Sequence, residues 1–168
     1  MSAHPLTLHP LRFTPEEIRD VVALYAGNPA YWRAAGEYDP DDIQAAQVEA
    51  DLRDEVATEG GEVLLARSGE GRLVGVVCLL RRHPKDGLPW IGLLMVDSRS
   101  RRTGIGRRLV GLVEERFRAE GRSGLRLAVL ENNPDALAFW KSLGWREIDR
   151  RQDLAHGRPC IVMHKNLA

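Results

Sequence analysis

A cluster of arginines and glycines follows an apolar run in the middle of the chain, and these residue types suit the binding of a phosphate. Residues 91–96 are apolar and predict a strand, and a helical pattern begins near Ile105. The first turn of a helix presents backbone N–H groups without internal partners at the positive end of the helix dipole. Gly104 and Gly106 leave room for a diphosphate to approach that backbone. Guanidinium groups add full positive charge, from Arg101, Arg102, Arg107 and Arg108.

The sequence excludes two other phosphate-binding motifs at this position. A dinucleotide-binding fingerprint needs a third glycine at position 109, where Leu109 stands. A P-loop needs a Gly-Lys-Ser/Thr triplet, which the chain lacks. A solvated basic turn before a surface helix stays open as the alternative interpretation of the loop taken alone.

The overall charge makes the basic loop a local feature. The 168 residues carry 24 basic and 24 acidic side chains, so the formal net charge is zero. Such a chain has no general attraction to nucleic acid or to an anionic membrane, and we expect neither as a partner. Hydrophobic residues at 43% and charged residues at 29% are typical of a globular protein, and the length favours one domain over residues 1–168.

The sequence lacks the features of a secreted, membrane-bound or metal-binding protein. Its start, M-S-A-H-P-L-T-L-H-P, has neither the basic region nor the apolar core of a signal peptide. No apolar run approaches the roughly 18 residues of a membrane helix, so we expect a cytoplasmic protein. Cys78 and Cys160 stand in separate apolar runs, which predicts two buried thiols. We expect no metal, because no two histidines have helical ligand spacing among His4, His9, His83, His156 and His164.

Hydrophobic periodicity and turn residues predict a mixed α/β (α+β) fold. The segment T-P-E-E at 14–17 predicts a helix start with a capping box, and D-P-D-D at 39–42 predicts a second. Tight turns then join three strands into an antiparallel meander, and the strand over 125–130 follows a helix, which favours a parallel crossover. The predicted order is β-α-α-β-β-β-α-β-α-β-β, a mostly antiparallel sheet of about six to seven strands flanked by about four helices.

This order and two motifs resemble the GNAT superfamily of N-acetyltransferases across nearly the whole chain. The spacing Arg101-x-x-Gly104-x-Gly106 at a strand-to-helix junction is similar to the family's acyl-CoA pyrophosphate loop. The segment N-x-x-A-x-x-F-W-x-x-x-G-W at 133–145 is similar to the family's segment after the fifth strand. The resemblance implies an enzyme that moves an acetyl group from acetyl-CoA to a primary amine of a small molecule, amino acid or peptide by direct attack in a ternary complex.

The resemblance also implies which residues hold acetyl-CoA. In the family the fourth and fifth strands splay apart and the pantetheine arm lies between them. Backbone groups near Met95 and Val96 are then expected to bind the arm and polarise the thioester carbonyl. Asn133 is expected to hold the arm from the other side, although capping of its helix alone would also explain an asparagine there. The implied cofactor-binding residues are Met95, Val96, Arg101, Arg102, Thr103, Gly104, Ile105, Gly106, Arg107, Asn133, Ala136, Phe139 and Trp140.

Two groups that are common in the family's catalytic sites are absent. Many members have a tyrosine where Trp140 stands, and an indole cannot give up a proton at neutral pH. A hydrogen bond from Trp140 to the leaving thiolate is the role left to it. The family's glutamate early in the fourth strand is also missing, and an attacking amine must lose a proton. The candidate bases are Glu131, which we place first, and Asp97, His83 and Glu37.

An aromatic cluster between the first two helices suggests the acceptor site. Tyr31, Trp32 and Tyr38, together with Trp90, predict an apolar or flat pocket, while packing beneath the connection is the open alternative. The absent tyrosine and glutamate favour a second hypothesis, a non-catalytic acyl-CoA-binding module or sensor. A nucleic-acid contact by residues 99–108 is disfavoured by the zero net charge. The final hairpin could support a homodimer.

Overall fold

The computed structural model describes residues 5–153 and 156–168, and in these ranges it has seven strands and five α-helices. Residues 1–4 lie outside the described residues, and with them His4 and the start of the segment compared with signal peptides. The strands are β1 (Leu6–Pro10), β2 (Gly61–Ser68), β3 (Leu73–Leu80), β4 (Trp90–Val96), β5 (Gly124–Leu130), β6 (Arg146–Gln152) and β7 (Pro159–Asn166). The helices are α1 (Pro15–Ala26), α2 (Pro29–Ala35), α3 (Ala45–Ala57), α4 (Ile105–Ala119) and α5 (Pro134–Ser142).

The seven strands form one sheet in the order β1-β2-β3-β4-β5-β7-β6. All neighbouring strands are antiparallel except β4 and β5, which run parallel. Because α4 joins β4 to β5, this pair is the strand–helix–strand crossover that the sequence predicts. The mixed, mostly antiparallel sheet of the predicted fold class is therefore confirmed.

Helices cover both faces of the sheet and bury its alternating apolar side chains. On one face, α1 and α3 pack residues such as Val21 and Val48 against Leu65 of β2. On the other face, α4 packs Phe117 against Val74 of β3, within a cluster that α5 completes. Successive side chains of a strand point to opposite faces, so the apolar runs of β2 and β3 supply both layers of the core.

Helix α1 begins as predicted, but only half of its predicted capping box forms. The Thr14 hydroxyl accepts the Glu17 N–H at 3.1 Å, with Pro15 in the first helical position. The Glu17 carboxylate does not reach back to Thr14 and instead accepts the Arg12 N–H at 2.6 Å. Phe13 adopts a positive φ of 59°, so the chain before the helix turns and brings the Arg12 amide to the carboxylate.

Two helix predictions around the first connection are wrong. The segment expected to link two helices contains α2, which starts at Pro29 and ends before Gly36, a residue with φ of 75°. The described chain thus has five α-helices where about four were expected. The D-P-D-D segment forms a turn in which the Asp39 carboxylate accepts the Asp41 N–H at 3.0 Å, so α3 begins only at Ala45. An aspartate side chain serves a turn as readily as a helix cap, which is why the sequence misleads.

The edge strand β6 is exposed at every residue, from Arg146 to Gln152, and pairs only with β7 among the described strands. A homodimer through this hairpin stays a prediction. Cys78 and Cys160 are buried free thiols, as expected. Of the helices that the structure describes, none has both the length and the apolar composition needed to cross a bilayer.

Candidate active site

The parallel strands at the centre of the sheet separate after a short contact. Only residues 90 and 91 of β4 pair with described residues of β5. The pairing of β4 with β3 skips Gly92, an irregularity that bends a strand and ends its regular pairing. Beyond that point residues 92–94 of β4 and 127–130 of β5 line a cavity of about 160 Å³. We call this cavity the strand gap.

The N-terminus of α4 faces an open groove of about 410 Å³. Gly104 precedes the helix with φ of 82°, and no side chain caps the first turn. A Cβ atom at Gly104 would have no atom within 4 Å, so the space before the helix is open. Arg101, Arg102 and Arg107 line the groove. An uncapped helix N-terminus among three guanidinium groups fits a diphosphate, and we call this cavity the phosphate groove.

A third cavity, of about 510 Å³, lies between α2, α3 and β4. Its aromatic wall brings together three residues that the sequence predicts for the acceptor site. The ring centroids of Tyr31 and Trp32 are 4.8 Å apart, and those of Trp32 and Tyr38 are 4.7 Å apart. The lining also includes four carboxylates, and we call this cavity the acidic pocket. Its carboxylates belong to Glu37, Asp51, Asp54 and Glu55.

The three cavities adjoin one another along one path. The phosphate groove and the strand gap share Leu94 and Phe139 among their lining residues. The strand gap and the acidic pocket share Tyr31, Gly92 and Leu93. A ligand with a diphosphate at one end would therefore reach through the gap to the edge of the acidic pocket. The path gives such a ligand an anion site, a narrow arm site and a junction with a second pocket.

The sequence profile of the acetyltransferase (GNAT) family matches residues 23–145, which is most of the chain. The chain belongs to this family. It is therefore an acetyltransferase, and members of its family use acetyl-CoA. No protein of curated function matches its sequence significantly.

Solved structures of acetyltransferases share the fold. The acetyltransferase from Thermus thermophilus has a TM-score of 0.76 at 23% identity, with 96% of each chain covered. The spermidine N-acetyltransferase from Vibrio cholerae, solved with CoA and spermine, has a TM-score of 0.72 at 15% identity, with 96% of this chain and 95% of that one covered. The ribosomal-protein-S18-alanine N-acetyltransferase from Escherichia coli has a TM-score of 0.65 at 16% identity, with 98% and 95% covered. At these identities the likeness concerns the fold.

Helix α5 supplies one wall of the acetyltransferase's strand gap. Asn133 caps the helix by accepting the Ala136 N–H at 3.2 Å, and both residues line the gap. The cap and the predicted contact with a pantetheine arm are thus compatible. Trp140 also lines the gap but is only 7% exposed, with its ring centroid 5.1 Å from those of Phe139 and Trp145. Trp140 is mainly a core residue, and its hydrogen bond to a thiolate stays a prediction.

Polar groups of the acetyltransferase's own chain brace the loop before α4. Arg101 donates to the Asn28 side-chain oxygen at 2.6 Å, so this guanidinium ties the connection between α1 and α2 to the loop as well as lining the groove. The Thr103 hydroxyl donates to the Ser100 carbonyl. Arg102 has a positive φ of 63°, a rare conformation for a residue with a side chain. The loop is therefore shaped before any ligand arrives.

The first turn of α4 sits against the core. Ile105 packs on the apolar cluster beneath the helix, and the exposed Arg107 side chain lines the phosphate groove. A Cβ atom at Gly106 would lie 3.4 Å from the Phe139 ring, which is ordinary van der Waals contact between α4 and α5. Gly104 opens space for a ligand, whereas the space at Gly106 would admit a Cβ atom.

The predicted thioester contacts lie beside the strand gap. Met95 is 4% exposed and lines none of the three cavities. Val96 lines the phosphate groove, and its carbonyl accepts the Asn28 side-chain N–H at 3.2 Å. Leu93 and Leu94 are the residues of β4 that follow Gly92 along the gap. Contact of Met95 and Val96 with the thioester stays a prediction, and the geometry favours positions one to two residues earlier.

Trp90 lies apart from the other predicted acceptor residues. Its indole N–H donates to the Asp86 carboxylate at 2.9 Å, and its ring stacks on His83 with centroids 4.6 Å apart. It belongs to the end of β4 that pairs with β5, not to the acidic pocket. The structure therefore does not bring Trp90 or the candidate base His83 to the path.

Among the other candidate bases, one lines the path. Glu131 pairs with Arg150 at 3.2 Å and lines none of the three cavities. Asp97 is 6% exposed and accepts from Arg72 at 2.8 Å, where it supports the turn after β4. Glu37 lines the acidic pocket. The role of Glu131 as base stays a prediction that this placement does not favour.

Sequence reasoning missed the acidic wall of the pocket and the tyrosine behind it. Asp51, Asp54 and Glu55 lie on α3 at spacings of three and four residues, so they share one face of the helix. That spacing was a visible signal of a charged face, but it did not show what the face borders. Tyr25 lines the same pocket from α1 and is only 3% exposed.

Burial and neighbouring carboxylates raise the pKa of two groups in the pocket, Tyr31 and Glu55. Desolvation, and then the charge of Glu37, raises the pKa of Tyr31 to about 12, so this phenol keeps its proton at physiological pH. Desolvation at the pocket wall, and then the carboxylates of Glu37, Asp51 and Asp54, raises the pKa of Glu55, although the residue is exposed overall. The fold thus disfavours the ionised Glu55, and its contribution to stability is lost as pH rises through the raised pKa.

Proposed function

We propose that this acetyltransferase transfers the acetyl group of acetyl-CoA to a primary amine of a small molecule, amino acid or peptide by direct attack in a ternary complex. The observation that carries the proposal is the path from the phosphate groove through the strand gap to the acidic pocket. Two related folds support an amine acceptor, since their names specify spermidine and the alanine of a ribosomal protein. We further propose that the enzyme acts in the cytoplasm.

The residues of the path would divide the work of holding acetyl-CoA, which supplies the activated acyl group. The uncapped first turn of α4 and the exposed Arg102 and Arg107 would bind the diphosphate. Asn133 and the unpaired edge of β4 would hold the arm within the strand gap. Backbone N–H groups near Leu93 and Leu94 would then lie beside the thioester carbonyl, where preorganised donors favour the developing negative charge.

Glu37 is suited to accept the proton of the incoming amine, and Tyr31 to donate a hydrogen bond to the leaving thiolate, which then takes its proton from water. The incoming ammonium must lose a proton, and Glu37 is the candidate carboxylate that lines the acidic pocket. Tyr31 stands at the junction of gap and pocket, and its hydroxyl makes no hydrogen bond to any described residue. Because its pKa is raised to about 12, it stays a donor and can hydrogen-bond the departing CoA thiolate. Tyr31 would thus supply the hydrogen bond to the thiolate from the junction of gap and pocket, whereas Trp140 is largely buried.

A panel of primary amines tests the proposed function. Purified protein with acetyl-CoA is expected to release CoA thiol in proportion to acetylated product for at least one amine, amino acid or peptide in the panel. The thiol assay and mass spectrometry of the product measure the two sides of the transfer. Tight binding of acetyl-CoA without transfer to any amine would contradict the proposal and favour the sensor hypothesis.

Replacing Tyr31 with phenylalanine is expected to lower kcat by about 10- to 100-fold, because the variant loses one donor to the leaving group. The affinity for acetyl-CoA should stay within about twofold, since the phosphate groove is unchanged. Single-turnover kinetics and titration of acetyl-CoA separate the two effects. The wild-type rate should also show no ionisation of Tyr31 between pH 6 and 9. An unchanged kcat in the variant would exclude the role of donor.

A further inference from the structure

We propose that the acidic pocket selects a polycationic acceptor, an amine that carries at least two ammonium groups besides the one that reacts. This proposal rests on the proposed function, which makes the pocket the place of the acceptor. It narrows the acceptor from any primary amine to one class of substrate. The supporting observations are the charge of the pocket, an unpartnered buried tyrosine and the spread of the carboxylates.

The charge of the acidic pocket is strongly one-sided although the chain as a whole is neutral. Residues 37–55 contain eight acidic side chains and one basic side chain, and four of the eight line the pocket, together with Arg158 and His156. The basic one, Arg53, faces away from the pocket, since it pairs with Glu49 at 3.0 Å and stacks over Phe13 at 4.4 Å. Arg158 is the guanidinium of the pocket lining, and it is already shared by Glu37 and Asp153.

The carboxylates of α3 differ in whether they already have hydrogen-bond or ion-pair partners within the protein. Asp51 accepts a hydrogen bond from the Tyr38 hydroxyl, which fixes it against the aromatic wall. Asp54 and Glu55 make no ion pair and no side-chain hydrogen bond with any residue in the described ranges. The charges of Glu37, Asp51 and Asp54 raise the pKa of Glu55, and a bound cation would offset this repulsion. The pocket therefore presents negative charge that the protein itself does not neutralise.

Tyr25 is the second, independent observation. It is 3% exposed and lines the acidic pocket, yet its hydroxyl has no hydrogen-bond partner in the part of the chain that the structure describes. The hydroxyl is reached from the pocket, where an ammonium group can donate to the phenol oxygen. The Tyr25 ring packs against Trp32 and Tyr38, with centroids 4.7 Å and 5.7 Å away, which holds the phenol in place.

The carboxylates are too dispersed to suit a single small cation. Within residues 5–153 and 156–168 no three His, Cys, Asp or Glu side chains are arranged to hold a metal ion. The acidic residues come from the chain after α2 and from about one turn of α3. Charges on two separate segments of a pocket match charges spread along a ligand, so an extended polyamine suits the pocket better than a compact dication.

Three amines of equal chain length test the proposal: octylamine, 1,7-diaminoheptane and bis(3-aminopropyl)amine, which carry one, two and three ammonium groups. Each added ammonium is expected to raise kcat/KM about five- to sixfold at low salt. The preference for the triamine over octylamine should then be about 30-fold and should shrink as salt screens the pocket. Equal kcat/KM values, or a preference for octylamine, would overturn the proposal while leaving the proposed function intact.

Two double variants that remove the same charge test whether the preference for the triamine arises in the acidic pocket. Asp54→Asn with Glu55→Gln is expected to reduce the triamine preference from about 30-fold to below about fivefold, chiefly through KM. Glu49→Gln with Glu59→Gln removes the same charge near the same helix but outside the pocket lining, and should keep the wild-type preference. A similar loss in both pairs would show that the preference reflects general charge, which contradicts a pocket.

Direct binding keeps the inference testable if no amine is acetylated. Titration of bis(3-aminopropyl)amine into the CoA-saturated protein should show binding at least about tenfold tighter than octylamine, and the Asp54→Asn, Glu55→Gln pair should lose that difference. Absence of turnover with this preference intact would reject the proposed function alone. Absence of the preference in both assays would reject the polycation pocket. Thermal melting of the variant confirms folding, and neutralising Glu55 should not lower Tm because the fold disfavours its ionised form.

Discussion

Gly104→Glu is expected to weaken acetyl-CoA binding by at least about 100-fold, which corresponds to about 2.7 kcal/mol. Gly104 has φ of 82°, and a side chain there would extend into open space in front of the first turn of α4. A glutamate at that point would occupy the phosphate groove and place a negative charge where the diphosphate must lie. Isothermal titration of acetyl-CoA and CoA against both proteins measures the loss.

Gly71→Glu is the matched control for this substitution. Gly71 has φ of 81°, and it too has no atom within 4 Å of a Cβ position, but it lies in the turn between β2 and β3. Both variants therefore add the same side chain in the same strained conformation, and only one adds it at the groove. Binding that survives Gly104→Glu, or that is lost equally in Gly71→Glu, would remove the phosphate groove from the mechanism.

Gly61→Ala is expected to destabilise the protein by about 3 kcal/mol and to lower Tm by about 6 to 12 °C. A Cβ atom at Gly61 would lie 1.9 Å from the backbone carbonyl oxygen of Glu55, far inside van der Waals contact. The end of α3 must then move away from β2, and with it the acidic wall. Thermal melting measures the stability, and KM for the amine should rise more than the Kd for acetyl-CoA.

Gly111→Ala controls for the loss of a glycine as such. Gly111 is an exposed residue of α4 with no atom within 4 Å of its Cβ position. Alanine favours a helix over glycine by about 0.5 to 1 kcal/mol, so this variant should be slightly more stable than the wild type. If Gly61→Ala melted at the wild-type temperature, the close approach of α3 to β2 would not be a constraint on the fold.

The elements that the sequence predicts best are those whose ends carry unambiguous chemistry. Thr14 followed by Pro15 starts α1 as expected, and Asn133 followed by Pro134 starts α5. Errors arise where the same residues serve two purposes. The residues of 27–29 are typical of a helix end, and Gly27 does end α1, yet Pro29 also begins α2. The aspartates at 39–42 close a turn on themselves, and α3 begins later without a side-chain cap.

One part of the candidate site could be predicted from the sequence and another could not. The phosphate groove depends on a glycine and arginines that are close in sequence, so the local pattern was enough to predict it. The acidic pocket depends on α1, α2, α3 and β4 together, and no local pattern states which helix face meets which strand. Trp90 shows the converse error, since residue type suggested the acceptor site while its actual partner is Asp86 in the preceding turn. Long-range packing decides both cases.

The short pairing between β4 and β5 divides the sheet into two parts, β1 to β4 and β5 to β7, which few hydrogen bonds connect. Two residue pairs join β4 to β5, whereas seven join β5 to β7 and six join β3 to β4. A molecule in the strand gap lies where further pairing of β4 with β5 would be, and it contacts both strands. Its binding energy would then add to the cooperativity of the whole sheet, and in its absence β5, β6 and β7 form the unit best able to open by itself.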